Sequence, residues 1–173
     1  KTSPGLKVRY VGSTPSVIMR GAGSAGTTDT AVPIYSDGLY QPRSASALAG
    51  YIDMDRAEVL KGPQGTLFGR NTLGGMINLI PKKPDTEEMS YGAAVGLGDY
   101  GQRKVEGFIN MPVSDSVAFR LTAVDTQRDA YVENIYDSAG GLKDADESYL
   151  RAQLSFDVTD DIALNLTYSK WED

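Results

Sequence analysis

Between Arg56 and Pro84 the chain reads RAEVLKGPQGTLFGRNTLGGMINLIPKKP, two short apolar runs bracketing a loop with five glycines. The runs are Val59 with Leu60 and residues 76–80; the glycines are Gly62, Gly65, Gly69, Gly74 and Gly75. A backbone that turns sharply several times within so few residues needs positive φ, which glycine reaches without a Cβ penalty. The rest of the chain up to Pro84 follows the same habit, short strands cut by turns. Residues 8–11, 16–19, 32–36, 57–61 and 76–80 are the expected strands, each with β-branched residues. Ser44 is placed to cap a short helix over 44–48 that ends at Gly50. Pro81 and Pro84 then stop the last strand, and Lys82 with Lys83 make a solvated hinge.

After Pro84 the rhythm becomes strict alternation. Tyr91, Ala93, Val95 and Leu97 share one face; Val105, Gly107, Ile109 and Met111 follow. Val117, Phe119, Leu121 and Ala123 continue the pattern, then Leu150, Ala152, Leu154, Phe156 and Val158, then Ile162, Leu164, Leu166 and Tyr168. Five successive segments at period two read as antiparallel strands, with Phe108 and Val124 as apolar exceptions on the otherwise polar face. Tight turns are expected at 98–101, 112–116 and 158–161, and one long connection at 128–147. Short turns on one side and longer loops on the other are the habit of outer-membrane barrels. Tyr100, Tyr168 and Trp171 lie near strand ends, where interfacial anchors belong. A soluble β-sandwich also alternates, but it needs two apolar faces that meet, and here the opposite face is small or charged.

Composition removes several function classes. The 173 residues contain neither cysteine nor histidine, so thiolate metal sites and the commonest general base are absent from this segment. The net charge of −6 argues against nucleic acid. No stretch approaches the eighteen or so apolar residues of a membrane helix, and the first residues do not form a signal peptide. The run Gly21-Ala-Gly-Ser-Ala-Gly26 matches a dinucleotide fingerprint, but Thr27 to Pro33 reads as a loop and strand, not the helix the fingerprint requires. No nucleophile-elbow or Ser-x-x-Lys signature is present. Asp53 with Asp55, Asp160 with Asp161, and the cluster Asp137, Asp144, Asp146 and Glu147 read as hydrated surface. No catalytic residue, metal site or cofactor is expected.

The Arg56–Pro84 stretch, with Arg20-Gly21 and Asp37-Gly38 upstream, closely resembles the plug domain of TonB-dependent outer-membrane receptors. The resemblance implies a mixed α/β plug over 1–84, a small mixed sheet with short helices, followed over 85–173 by about five of some 22 antiparallel strands of a transmembrane β-barrel. It implies a transporter of the bacterial outer membrane, not an enzyme, importing a scarce nutrient such as a ferric siderophore. Its partners would be TonB, reached through a segment upstream of Lys1, and outer-membrane lipid. The family's plug arginines meet glutamates on the barrel wall, which assigns Arg20 and Arg56 to a plug–barrel lock; the alternative is two ordinary exposed arginines. The loops 22–30 and 40–51 would be outward tips. There Tyr40, Gln41, Arg43 and Tyr51 offer aromatic faces, an amide and a positive charge to an anionic chelate. The segment 128–134 departs from the family by carrying Ala130 where glycine is usual. Two other readings stay open: a soluble β-rich binding or adhesion domain, and a nucleotide-dependent enzyme built on Gly21 to Gly26.

Overall fold

The structure, a computed structural model, describes residues 4–11, 14–23, 30–42, 52–69, 71–132, 144–159 and 161–172. The chain divides into two units, Lys1–Lys82 and Lys83–Asp173.

Two small sheets build the first unit. In one, β1 (Leu6–Val11) and β2 (Thr14–Met19) form an antiparallel hairpin, and the two-residue strand β3 (Ala22–Gly23) pairs on the far side of β2. Arg20 and Gly21 join β2 to β3 with φ of 52° and 82°. Positive φ at both central residues defines a type I′ turn, whose twist suits a two-residue hairpin. The other sheet runs in the order β5-β4-β7-β6, comprising β4 (Ile34–Ser36), β5 (Leu39–Gln41), β6 (Met54–Lys61) and β7 (Gly75–Pro81). Asp37 and Gly38 repeat the double positive φ between β4 and β5. β7 is central, parallel to β4 and antiparallel to β6, so the sheet is mixed.

Side chains from both sheets meet in one core of Val17, Met19, Val32, Ile34 and Leu79, flanked by Leu6, Met54, Val59 and Ile77. The glycine loop between β6 and β7 holds a single helical turn, α1 (Gly65–Phe68). It ends in Gly74 and Gly75, both buried. A Cβ on Gly74 would lie 2.9 Å from Ala22 Cβ and 3.0 Å from Val32 Cγ2. One on Gly75 would collide with Leu60 O and lie 2.6 Å from Met19 Sδ. The pair is small because β6, β2 and the core converge there.

Strand starts differ from the sequence expectation for local reasons. β4 begins at Ile34 rather than Val32, because Thr30 Oγ1 accepts Val32 N–H (3.1 Å) and donates to Val32 O (3.0 Å). That local turn competes with a ladder, and Pro33 has no N–H to offer one. β3, β5 and α1 were not foreseen; each is shorter than a periodicity can register. The expected helix over 44–48 lies outside the described residues.

The second unit is a five-stranded antiparallel meander in the order β12-β11-β10-β9-β8. Its strands are β8 (Ser90–Leu97), β9 (Arg103–Ser114), β10 (Val117–Arg128), β11 (Ala145–Thr159) and β12 (Ile162–Glu172). Pro112, expected in a turn, lies inside β9. The register steps there from Val117↔Ser114 to Ala118↔Pro112, so Val113 is the extra residue of a bulge, where a strand tolerates proline. The long connection is 129–144, shorter than expected, because pairing continues to Arg128↔Ala145.

The register puts Tyr91, Ile109, Leu121, Ala152 and Tyr168 side by side, with Val95 and Leu164 on the same face. Val95 is 70% exposed and Leu164 48%, whereas on the opposite face Arg120 is 3% exposed and Arg151 2%. This inverts a soluble sheet, which excludes the sandwich: the apolar face is outermost and the polar face is buried. From Leu150 to Val158 the outer face of β11 is unbroken Leu, Ala, Leu, Phe and Val. At ~3.4 Å per residue this is about 27 Å of strand, or roughly 21 Å of height at a tilt of about 40°, near the apolar band of an outer-membrane barrel. Tyr168 keeps to the outer face, but Trp171 pairs with Tyr149 and faces inward. Its strand-end position suggested a lipid anchor; parity decides otherwise.

At Gly75, where φ is 130°, Gly75→Ala should destabilise the first unit by roughly 2–4 kcal/mol. A lower urea midpoint for that unit in the purified whole receptor is the check.

Candidate functional site

The hairpin β4–β5 builds an aromatic corner. Tyr35 is buried on β4, and its hydroxyl donates to Phe68 O on α1 at 2.7 Å. Its ring meets Phe68 edge-on at 5.4 Å and Tyr40 at 5.8 Å. Tyr35 and Tyr40 are cross-strand partners, so the I′ turn at Asp37-Gly38 is what brings them together. Tyr40 is half exposed, and Gln41 next to it donates from Nε2 to Leu39 O at 3.4 Å. Both lie on β5 rather than in the loop expected at 40–51. Arg43 and Tyr51 lie outside the described residues. The arrangement offers a fixed ring face at Tyr40, backed by a buried ring and a short helix. Tyr35 and Phe68 were not singled out from sequence; only the hairpin signal Asp-Gly could have paired Tyr35 with Tyr40.

The two arginines are placed differently. Arg20 occupies the I′ turn after β2, donates its backbone N–H to Gly5 O at 3.0 Å, and is exposed. Its guanidinium reaches over Gly62, with Nη1 3.9 Å from where a Cβ on Gly62 would sit. Arg56 lies on β6, exposed, with Nη1 2.6 Å from Asp55 Oδ2 and Nε 2.9 Å from Glu58 Oε1. Glu58 Oε2 also accepts Asn78 Nδ2 at 3.3 Å, across the β6–β7 pair. The hydrogen bonds that Arg56 donates to Glu58 and Asp55 raise its pKa. Bonds from Arg56 and Asn78 hold the Glu58 carboxyl below the usual glutamate range. Sequence suggested two similar boundary arginines; the structure holds Arg56 in an acidic fork and sets Arg20 in a strained turn.

In the second unit the inner face carries a polar cluster. Arg120 places its guanidinium 4.5 Å over the Phe108 ring, and that ring covers Gly92, where a Cβ would meet Phe108 Cε1 at 2.7 Å. Phe108, one of the two breaks in the alternation, is therefore a lid over a strand glycine and a platform for an arginine. Asn110, Thr122, Arg151 and Gln153 are buried on the same face.

The nucleotide reading fails on backbone. Gly23 lies in β3 opposite Ile18, where a Cβ would fall 2.7 Å from Ile18 Cγ1, so this glycine serves strand pairing. The fingerprint needs it in a turn that opens a helix.

Residues 1–76 match the TonB-dependent Receptor Plug Domain family. The Escherichia coli catecholate siderophore receptor Fiu is 30% identical over 165 residues, 87% of this chain and 20% of Fiu. The chain belongs to the TonB-dependent receptors. It holds the plug domain and following strands, as the fold class implied. The pesticin receptor of Yersinia pestis is 35% identical over 91 residues, 51% of this chain and 13% of the receptor. The crystal structure of the ferric yersiniabactin uptake receptor FyuA from Yersinia pestis aligns with a TM-score of 0.82 at 25% identity. That alignment covers 98% of this chain and 27% of FyuA. The chain thus spans a fifth or less of the length of these two curated relatives. TonB-dependent receptors are transporters, not enzymes, and the family places the chain in the bacterial outer membrane.

The Arg56–Glu58 pair sets a pH expectation. A depressed carboxyl pKa gives a contribution that is present above the unfolded glutamate value and lost as pH falls through the folded one. The fork should hold unchanged from pH 8 to pH 5 and open only below the ordinary glutamate range. Titration of the Glu58 side chain by NMR in the whole receptor checks this; a normal midpoint would contradict it. Arg56 is exposed and Glu58 only partly covered, so Glu58→Gln should leave the stability of the first unit nearly unchanged.

Proposed function

We propose that this chain gates TonB-dependent uptake of a scarce nutrient, a ferric siderophore, across the outer membrane. The observation that carries the reading is the pairing of a plug-family unit with strands whose apolar face is outermost and whose polar face is buried. The plug closes the lumen, and TonB draws on it through a segment upstream of these residues. Fiu is named for catecholate siderophores and FyuA for uptake of ferric yersiniabactin, which supports a ferric chelate as the cargo. The pesticin receptor is named for a different ligand, so the cargo is the part to be tested.

Tyr40 and Gln41, with Arg43 and Tyr51, contact the ligand at the plug. The support is the half-exposed Tyr40 ring held against Tyr35. Ring stacking and a guanidinium suit a planar, anionic iron chelate. Arg20 and Arg56 lock the plug by meeting wall carboxylates. Arg56 retains donors beyond those given to Asp55 and Glu58, since a guanidinium carries five.

The whole receptor should restore iron-limited growth on at least one ferric siderophore in a strain lacking its own siderophore receptors, and lose that ability when TonB is deleted. TonB-dependent uptake of copper, haem or cobalamin with no siderophore response would replace the cargo and keep the mechanism. Uptake that persists without TonB would overturn the coupling. Replacing Arg20 and Arg56 together by alanine should raise leakage of small solutes; unchanged leakage and transport would remove them from the lock.

A further inference from the structure

Asn110 sits on the inner face of β9 and is completely buried. Its amide is engaged at both ends. Oδ1 accepts Asp85 N–H at 2.9 Å, while Nδ2 donates to Asp85 O at 2.9 Å and to Glu88 O at 2.7 Å. A carboxamide that meets both backbone groups of one residue reproduces a rung of a β-ladder with a side chain. The gripped segment is itself shaped beforehand, since Asp85 Oδ1 accepts Glu87 N–H at 2.8 Å and turns the chain locally. On the other side of the junction, Lys82 N–H donates to Asp53 O at 3.0 Å, within the first unit. Only Lys83 and Pro84 lie between these two fastenings, a reach of at most about 11 Å from Lys82 to Asp85. Proline stiffens even that short span.

We propose that Asn110 is the fixed end of the plug. It is a positioning residue that clamps residues 85–88 to the barrel wall, so that remodelling during transport is confined to the chain before Lys82. Without the clamp, the tether would extend from Lys83 to the start of β8 at Ser90, about 25 Å of free chain. The plug would then be held by a slack line instead of a short one. Asparagine suits the task because two donors and one acceptor are needed in a buried place; aspartate supplies only acceptors when ionised, and leucine supplies neither. The inference rests on the plug reading but not on which ligand is carried.

The test uses the whole receptor in outer membranes, with two variants. Asn110→Leu keeps the branched shape and the number of heavy atoms and removes all three bonds. Asn110→Asp keeps the acceptor for Asp85 N–H and removes both donations. Amide hydrogen exchange at Asp85 should be about five- to tenfold faster in Asn110→Leu and little changed in Asn110→Asp. Entry of vancomycin, too large for open diffusion across an intact outer membrane, should rise in both variants, because both free the Asp85 and Glu88 carbonyls. If Asn110→Leu does not insert, Asn110→Asp carries the test through antibiotic entry alone. Antibiotic entry at the unmodified level in every variant that inserts would overturn the proposal, as would an unprotected Asp85 amide in the unmodified receptor. Neither readout involves a siderophore, so a wrong cargo assignment would leave this result standing.

Discussion

The polarity inversion of the second unit sets the terms for everything else. A sheet with its apolar side outermost is stable only where that side meets lipid and where no backbone group is left unpaired in it. The meander answers the second demand with long ladders, twelve residues each in β9 and β10 and fifteen in β11, interrupted by single-residue bulges at Val113 and Val158. The first demand frees the other face to hold what a soluble core would reject, two buried arginines with an asparagine, a threonine and a glutamine. A charged group is costly to bury unless it is well engaged, so the inner face is where specific contacts must be concentrated.

The first unit solves a different problem, compactness with few residues. Its strands are three to eight residues long apart from the two-residue β3, too short to hold together singly, and it closes them with turns in uncommon backbone regions. Arg20, Asp37 and Asn71 adopt positive φ alongside the glycines, a conformation that non-glycine residues adopt at some cost. Where β6, β2 and β7 converge, space is so limited that Gly74 and Gly75 cannot carry a side chain. The glycine-rich stretch that dominates the sequence is thus where the unit packs most tightly.

How much of this could be read beforehand follows from which signals are local. Alternation over eight or more residues fixed all five strands of the meander and their outer faces, because parity is insensitive to tertiary context. Trp171 shows the same rule from the other side: counted from Ile162, its odd offset places it inward, against the guess from its position near a strand end. Phe108 broke the pattern visibly, and the break marked a real contact, although Gly92 and Arg120 could be named as its neighbours only once the register was known. β3 and β5 escaped notice because two or three residues carry no period. The grip of Asn110 on residues 85–88 was illegible for a different reason. It joins positions 22 and 25 apart whose meeting depends on where the chain re-enters the sheet.

Arg56 illustrates why an exposed ion pair can matter without contributing much stability. Its bonds to Asp55 and Glu58 are open to water, which screens such pairs, so they add little to stability. What they change is freedom. Glu58 is tied in turn to Asn78 on the neighbouring strand, so the guanidinium is held from both sides by groups fixed to β6 and β7. A guanidinium already restrained loses less rotamer entropy when a further acceptor arrives, and ordering a side chain at an interface otherwise costs about 0.5–1.5 kcal/mol. Arg20 is set differently, by the backbone of the I′ turn that carries it. One arginine is aimed by carboxylates and the other by main chain, two routes to the same preorganisation of a positive charge at the plug surface.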